Sequence, residues 1–156
     1  GIIGCGYIGK TVERFALNLG MTVIVVEECV YDRFVPLTDM LPRADFITIH
    51  VPLTSKTRHL IGAKEFDLMK KGVRIIDCSR GGVIDQEALY QALVSGKVAG
   101  ASLDVFEEEP PFGNKLLRLP NVIATPHMGA QTFEAQHRAS IQIATNVIAA
   151  LEKLKL

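Results

Sequence analysis

The chain lacks a surplus of charge of either sign: seventeen Lys and Arg stand against seventeen Asp and Glu. No Lys/Arg cluster forms a stripe that could track a phosphate backbone, so nucleic acid is not expected as a partner. Cysteine is scarce and odd in number. Cys5, Cys29 and Cys78 have no C-x-x-C spacing and lie in or beside apolar runs, which predicts buried thiols in a reducing cytoplasm. Long apolar runs are missing too; none approaches the roughly 20 residues a membrane helix needs, and no charged leader precedes an apolar segment. A cytoplasmic protein that does not enter a membrane is therefore expected. Internal repeats, low-complexity tracts and Gly/Ser-rich linkers are also absent, so residues 1–156 read as one domain. His50, His59 and His137 combine with no acid or cysteine at metal-ligand spacing, and His59 and His137 read as exposed helix residues. No metal is expected.

What is present is an ordinary globular composition, 48% hydrophobic over 156 residues and enough for one buried core. Short apolar runs predict six buried strands: Ile2 to Cys5, Val23 to Val26, Phe46 to Val51, Val73 to Cys78, Val98 to Leu103 and Val122 to Thr125. Between them lie helical patterns, among them Tyr7 to Leu19 closed by Gly20, and Gln86 to Ser95, which Asp85 can cap and Gly96 can end. A last amphipathic helix from about Thr132 to Leu154 carries Phe133, Ile141, Ala144, Ile148 and Leu151 at helical spacing, which predicts a face laid on a sheet or an interface. Alternating strand and helix implies parallel crossovers. The chain opens at Gly1-Ile2-Ile3-Gly4, inside a strand pattern, and an upstream segment is expected to be missing.

Gly4-Cys5-Gly6-Tyr7-Ile8-Gly9 fits G-x-G-x-x-G, a weak signal alone that gains weight from leaving a strand and opening a helix. In that setting Gly4 permits the tight turn, Gly6 admits a pyrophosphate close to backbone N–H groups, and Gly9 lets helix meet strand. About twenty residues on, Glu27 stands where a carboxylate would accept hydrogen bonds from the adenosine ribose; Glu28 is the alternative if the strand register slips by one. A carboxylate there repels a 2′-phosphate, and no Arg follows at once, so NAD is favoured over NADP.

Four further segments, in order and each at the carboxyl end of a predicted strand, resemble the D-2-hydroxyacid dehydrogenase family. They are Asp45-Phe46-Ile47-Thr48-Ile49-His50-Val51-Pro52-Leu53-Thr54, Asp77-Cys78-Ser79-Arg80-Gly81-Gly82, Leu103-Asp104-Val105-Phe106-Glu107-Glu108-Glu109-Pro110 and Thr125-Pro126-His127-Met128-Gly129-Ala130. The resemblance, strongest to the branch that oxidises 3-phosphoglycerate for serine biosynthesis, implies a Rossmann-type doubly wound parallel sheet. It also implies that this single nucleotide-binding domain stands without the family's substrate domain, which is built from chain before the first strand and after the last helix. By the same resemblance Arg80 grips the substrate carboxylate and carbonyl, His127 is the catalytic histidine and Glu109 its carboxylate partner. Tyr7 and Ile8 meet the pyrophosphate through their backbone, and Val51 and Pro52 lie beside the adenosine. Cys78, Ser79 and Arg80 sit under the nicotinamide ribose, and Asp104, Gly129 and Ala130 face the carboxamide side, next to His127. A homodimer is the assembly the resemblance implies, and a small 2-hydroxy or 2-oxo acid is the implied substrate. Glyoxylate, hydroxypyruvate and D-lactate chemistry are the alternatives within the family, and an NAD-sensing, corepressor-like module is the alternative outside catalysis.

These residue types suit the chemistry. Exchanging a hydride with a 2-oxo acid also moves a proton at the carbonyl oxygen, which a histidine can give or take near neutral pH. A nearby carboxylate favours the imidazolium and fixes which ring nitrogen faces the substrate. A substrate carboxylate calls for a planar, permanently charged, two-pronged donor, which arginine is and lysine is not. Each residue also has a plainer reading: Arg80 as a surface ion-pair partner, Glu109 as part of a solvated acidic run, His127 as a loop histidine, Asp104 as a turn or helix cap. One stretch departs from the family pattern. Residues 28 to 43 are several residues short for a loop plus crossover helix and contain Pro36 and Pro42, so a regular second crossover is not expected.

Overall fold

A computed structural model describes residues 1–26 and 35–154. In chain order the elements are β1 (Ile2–Ile3), α1 (Tyr7–Asn18), β2 (Val25–Val26), α2 (Leu37–Met40), β3 (Phe46–Ile49), α3 (Ala63–Leu68), β4 (Val73–Asp77), α4 (Gln86–Val94), β5 (Val98–Leu103), a 3₁₀ turn (Lys115–Arg118), β6 (Val122–Ala124) and α5 (Phe133–Lys153). The six runs expected as strands all form strands among the described residues, five of them trimmed by one or two residues at an end. They pair in the order β2-β1-β3-β4-β5-β6, and every pairing is parallel.

Two consecutive residues of β1 show why the sheet is wound on both faces. Side chains alternate across a strand, so Ile2 packs with Cys5, Val25, Val12 and Val23. Ile3 points the other way, into a larger cluster with Ile47, Ile49, Ile75, Leu89 and Leu103. The chain steps from β1 outward to β2, returns to β3 on the opposite side of β1, and continues to β6. With right-handed crossovers that reversal puts α1 on one face and α3 and α4 on the other. It also opens a crevice at the carboxyl ends of β1 and β3, where sheets of this kind bind ligands.

Local signals set the helix ends. Gly20, at φ 77°, ends α1; its N–H donates to the Leu17 carbonyl and that of Met21 to Ala16, the paired bonds of a left-handed helix stop. Asp85 caps α4 by accepting the Ala88 N–H at 3.0 Å, as its position predicts. Of the second crossover, only the part from Val35 onward lies within the described residues. The chain is described again from Val35, whose N–H donates to the Val25 carbonyl. It then makes the single-turn helix α2 between Pro36 and Pro42, anchored by fully buried Met40 and Leu41.

The described residues form two compact units, Gly1–Pro126 and His127–Leu156. The second consists of a short lead-in and α5, which Thr132 caps by accepting the Ala135 N–H; none of the helix's residues is buried. No helix among the described residues is long and apolar enough to cross a membrane.

The core assignment is open to a direct check. Ile47 is 0% exposed and Ile123 69% exposed, so Ile47→Ala is expected to lower the unfolding free energy by about 2–5 kcal/mol, and Ile123→Ala by about 0.5 kcal/mol or less. Urea unfolding of the two variants measures both; equal losses would contradict this packing.

Candidate functional site

The glycine turn between β1 and α1 is built by close backbone approach. Gly4 has φ +94°, and a Cβ there would lie 2.6 Å from the His50 carbonyl oxygen and 2.8 Å from Val51 Cγ1. The first glycine thus lets β1 turn while the end of β3 passes alongside. A Cβ on Gly9 would fall 2.0 Å from the Gly4 carbonyl oxygen, so the third glycine is what lets α1 begin against the strand. Gly6 is different: a Cβ there would meet nothing within 4 Å. It fronts open space at the N-terminus of α1, where no side chain caps the helix and no acid stands in the first turn. Tyr7 and Ile8, in that first turn, are 95% and 65% exposed. An uncapped helix start with a small residue before it fits a diphosphate, which the helix dipole and free N–H groups attract. The residues here therefore fit the phosphates of a dinucleotide.

The other predicted residues of the first unit fall along the same carboxyl edge of the sheet. Val51 and Pro52 follow β3; Cys78, Ser79 and Arg80 follow β4; Asp104 follows β5 and Glu109 lies five residues further on. Glu27 and Glu28 lie outside the described residues. His127, Gly129 and Ala130 belong to the second unit, where His127 is exposed at φ 52° and the Ala130 carbonyl accepts from Gln136 Nε2.

Three side chains at this edge are held by hydrogen bonds. Arg80 Nη1 donates to the Ser79 carbonyl at 2.6 Å, which leaves the rest of the guanidinium fork exposed. Glu109 Oε1 accepts the Phe106 N–H at 3.0 Å, so the carboxylate is tethered to its own loop rather than loose in an acidic run. Asp104, 5% exposed, accepts the Thr125 hydroxyl at 2.5 Å, which ties the ends of β5 and β6 together.

Sequence reasoning missed Asp77. It is 3% exposed and accepts both the N–H (2.8 Å) and the hydroxyl (2.6 Å) of Ser79 on one oxygen, so it sets the turn that delivers Arg80. Burial pushes its carboxyl above the ordinary 3.8, against the two Ser79 bonds, which pull it down. The Asp-x-Ser spacing, able to close a local side-chain turn, was the available signal. Two expectations need correction. His59 is not in a helix: it occupies a turn at φ 50°, donates its N–H to the Gly82 carbonyl and brings Nε2 to 3.3 Å from Glu107 Oε1. Cys78 is exposed, while Cys5 is buried as expected and Cys29 lies outside the described residues. Partial desolvation, then the charges of Asp104 and Asp77, raise the Cys78 thiol above its usual range. His50, half-buried, has Nε2 3.0 Å from Thr48 Oγ1, and burial lowers its pKa. Among the described residues no group of three or more His, Cys, Asp or Glu is placed to hold a metal.

The buried acid predicts a pH dependence. A carboxyl whose folded pKa is raised binds more protons in the folded state, so its contribution to stability falls as pH rises from 3.8 through the folded value. Asp77→Asn keeps the acceptor oxygen and removes the titration. Its stability relative to the parent is therefore expected to grow as urea unfolding is repeated from about pH 4 upward; a pH-independent difference would contradict the burial of an ionisable group there.

The family model described as "D-isomer specific 2-hydroxyacid dehydrogenase, NAD binding domain" matches residues 1–129. D-3-phosphoglycerate dehydrogenase of Methanocaldococcus jannaschii is 48% identical over 161 residues, which cover 94% of this chain and 30% of that protein. Among solved structures, a glyoxylate reductase from Paecilomyes thermophila superposes with a TM-score of 0.94 at 37% identity, covering 100% of this chain and 50% of that one. The D-lactate dehydrogenase of Aquifex aeolicus, solved with NAD and lactic acid, does so with a TM-score of 0.90 at 34% identity, covering 98% and 53%. The chain thus spans between about a third and about half the length of these relatives. The glycine turn, the parallel sheet order and the matched residues together say that this chain belongs to the D-isomer specific 2-hydroxyacid dehydrogenase family and carries its NAD-binding domain.

Proposed function

We propose that the chain is the cofactor-binding and catalytic part of an oxidoreductase that interconverts a D-2-hydroxy acid and its 2-oxo acid with NAD. The observation that carries this reading is the convergence of an uncapped, glycine-fronted helix start, a cationic Arg80 and a tethered Glu109 at one edge of the sheet. NAD supplies the carbon that accepts or returns the hydride. Arg80 grips the substrate carboxylate with its two-pronged guanidinium and holds the carbonyl in line. His127 is assigned to take the hydroxyl proton in oxidation and return it in reduction, and Glu109 is assigned as the carboxylate of the acid–base set.

The substrate assigned within this reading is 3-phosphoglycerate, on the first step of serine biosynthesis, supported by the 48% identity to a D-3-phosphoglycerate dehydrogenase. Glyoxylate and D-lactate are the competing substrates, supported by the glyoxylate reductase and D-lactate dehydrogenase likenesses. A panel of 2-oxo acids with NADH, and 3-phosphoglycerate with NAD, followed by NADH absorbance, ranks them by kcat/KM. In the complete protein His127→Ala is expected to lower kcat by about 10²- to 10⁴-fold while NADH still binds. Arg80→Lys is expected to lower kcat/KM by about tenfold or more, chiefly through KM. Normal turnover by His127→Ala would remove the mechanism. NADH-dependent capture of a protein partner, without turnover of any acid, would favour a sensing module instead.

A further inference from the structure

The loops that carry Arg80 and Glu109 meet at one point, and the contact there is backbone against backbone. Arg80 is followed by Gly81, and a Cβ built on Gly81 would fall 1.8 Å from the Phe106 carbonyl oxygen, 2.3 Å from its carbon and 2.9 Å from the Glu107 nitrogen. No flexible side chain can swing aside at this contact. Phe106 is also the residue whose N–H holds Glu109 Oε1 at 3.0 Å. Its side chain is buried in the core, so the residue is a fixed post rather than a floating loop position. One side of Gly81 therefore presents the substrate-facing arginine, and the other abuts the post to which the carboxylate is tied.

The surrounding bonds hold both sides of this contact. Val105 and Phe106 are buried immediately after β5, and Asp104 donates its N–H to the Asp77 carbonyl, which keeps the loop after β5 beside the loop after β4. On the other side, Asp77 fixes Ser79 and the Gly82 carbonyl accepts from His59. Between these anchors the two loops meet backbone to backbone at Gly81.

We infer that Gly81 is a positioning residue, which sets the Glu109 carboxylate relative to the Arg80 guanidinium through its contact with the Phe106 backbone. The inference rests on the functional reading above and deepens it. A methyl group at position 81 has to move the Phe106 carbonyl oxygen from 1.8 Å out to 3.4 Å to reach an ordinary contact, and a misplacement of even about 1 Å can cost about 10²-fold in rate. Because the shift is delivered to the residue that holds Glu109, the loss should appear in proton transfer rather than in cofactor binding. The glycine turn proposed to meet the cofactor phosphates lies beside β1, two strands away from β4.

The test compares Gly81→Ala, Glu109→Gln and the double variant in the complete protein. Gly81→Ala is expected to bind NADH with unchanged affinity by fluorescence, to lose about 10²-fold in kcat, and to move the acid–base limb of its kcat/KM pH profile in the same direction as Glu109→Gln. In the double variant the second substitution should add little, because both act on one carboxylate. Gly82→Ala is the control: at φ +88° it strains the same loop and lowers stability, yet should leave the pH limb where it is. If Gly81→Ala does not fold, replacing Phe106 by its α-hydroxy acid analogue removes the N–H that tethers Glu109 and should reproduce the Glu109→Gln profile. Additive losses in the double variant, or a parental pH profile in Gly81→Ala or in the ester, would overturn the inference. If Glu109→Gln itself retains the parental rate and profile, the functional reading fails instead, and the two failures are told apart.

Discussion

The close passage of Gly4 past the end of β3 is the constraint from which the rest of this molecule follows. Because no Cβ stands between Gly4 and the His50 carbonyl, β1 can turn beside β3 rather than past it, and α1 can start against the strand that feeds it. That places an uncapped helix N-terminus at the point where the sheet reverses its winding. A helix start there is a site for anionic groups before any side chain is considered. The loops after β4 and β5 then bring charged residues to the same edge, because parallel strands all deliver their carboxyl ends to one side.

Much of this was legible in the sequence, for a physical reason. Strands buried on both faces read as short apolar runs, which made the inner strands visible; β6 forms from its apolar run too but is not buried as expected, with Ile123 69% exposed, and the caps at Asp85 and Gly20 were visible because their chemistry is local. Where interpretation failed, the deciding contact was long-range. His59 looked helical because nothing nearby in sequence reveals that its N–H is claimed by Gly82. Cys78 looked buried because it ends an apolar strand, but the strand stops at Asp77 and the thiol emerges at the edge. Asp77 was passed over because an acid at a strand end reads as solvated; only the fold shows it enclosed and bonded twice to Ser79. The residues on the dinucleotide's adenosine side are a separate matter, since Glu27 and Glu28 fall outside the described residues.

The electrostatics of the edge divide into two kinds. Asp77 and Asp104 are buried and spend their acceptor oxygens on neighbouring backbone and hydroxyl groups; they shape loops. Arg80 and Glu109 are exposed; Arg80 donates to the Ser79 carbonyl and Glu109 accepts the Phe106 N–H. An acid that costs stability when ionised is tolerated in the first pair because it fixes the turn that aims the second. The loop-shaping carboxylates are thus buried while Arg80 and Glu109 are exposed, although they lie within a few residues of one another in sequence.

Under the proposed function, hydride passes between NAD and C2 of a 2-hydroxy acid of D configuration. Incubating the complete protein with NADH deuterated at the transferable C4 position and a 2-oxo acid, followed by chiral separation and mass spectrometry of the product, tests it most directly. The account predicts a D-2-hydroxy acid carrying deuterium at C2. An L product, a product without the label, or no product from any 2-oxo acid while NADH binds would contradict it.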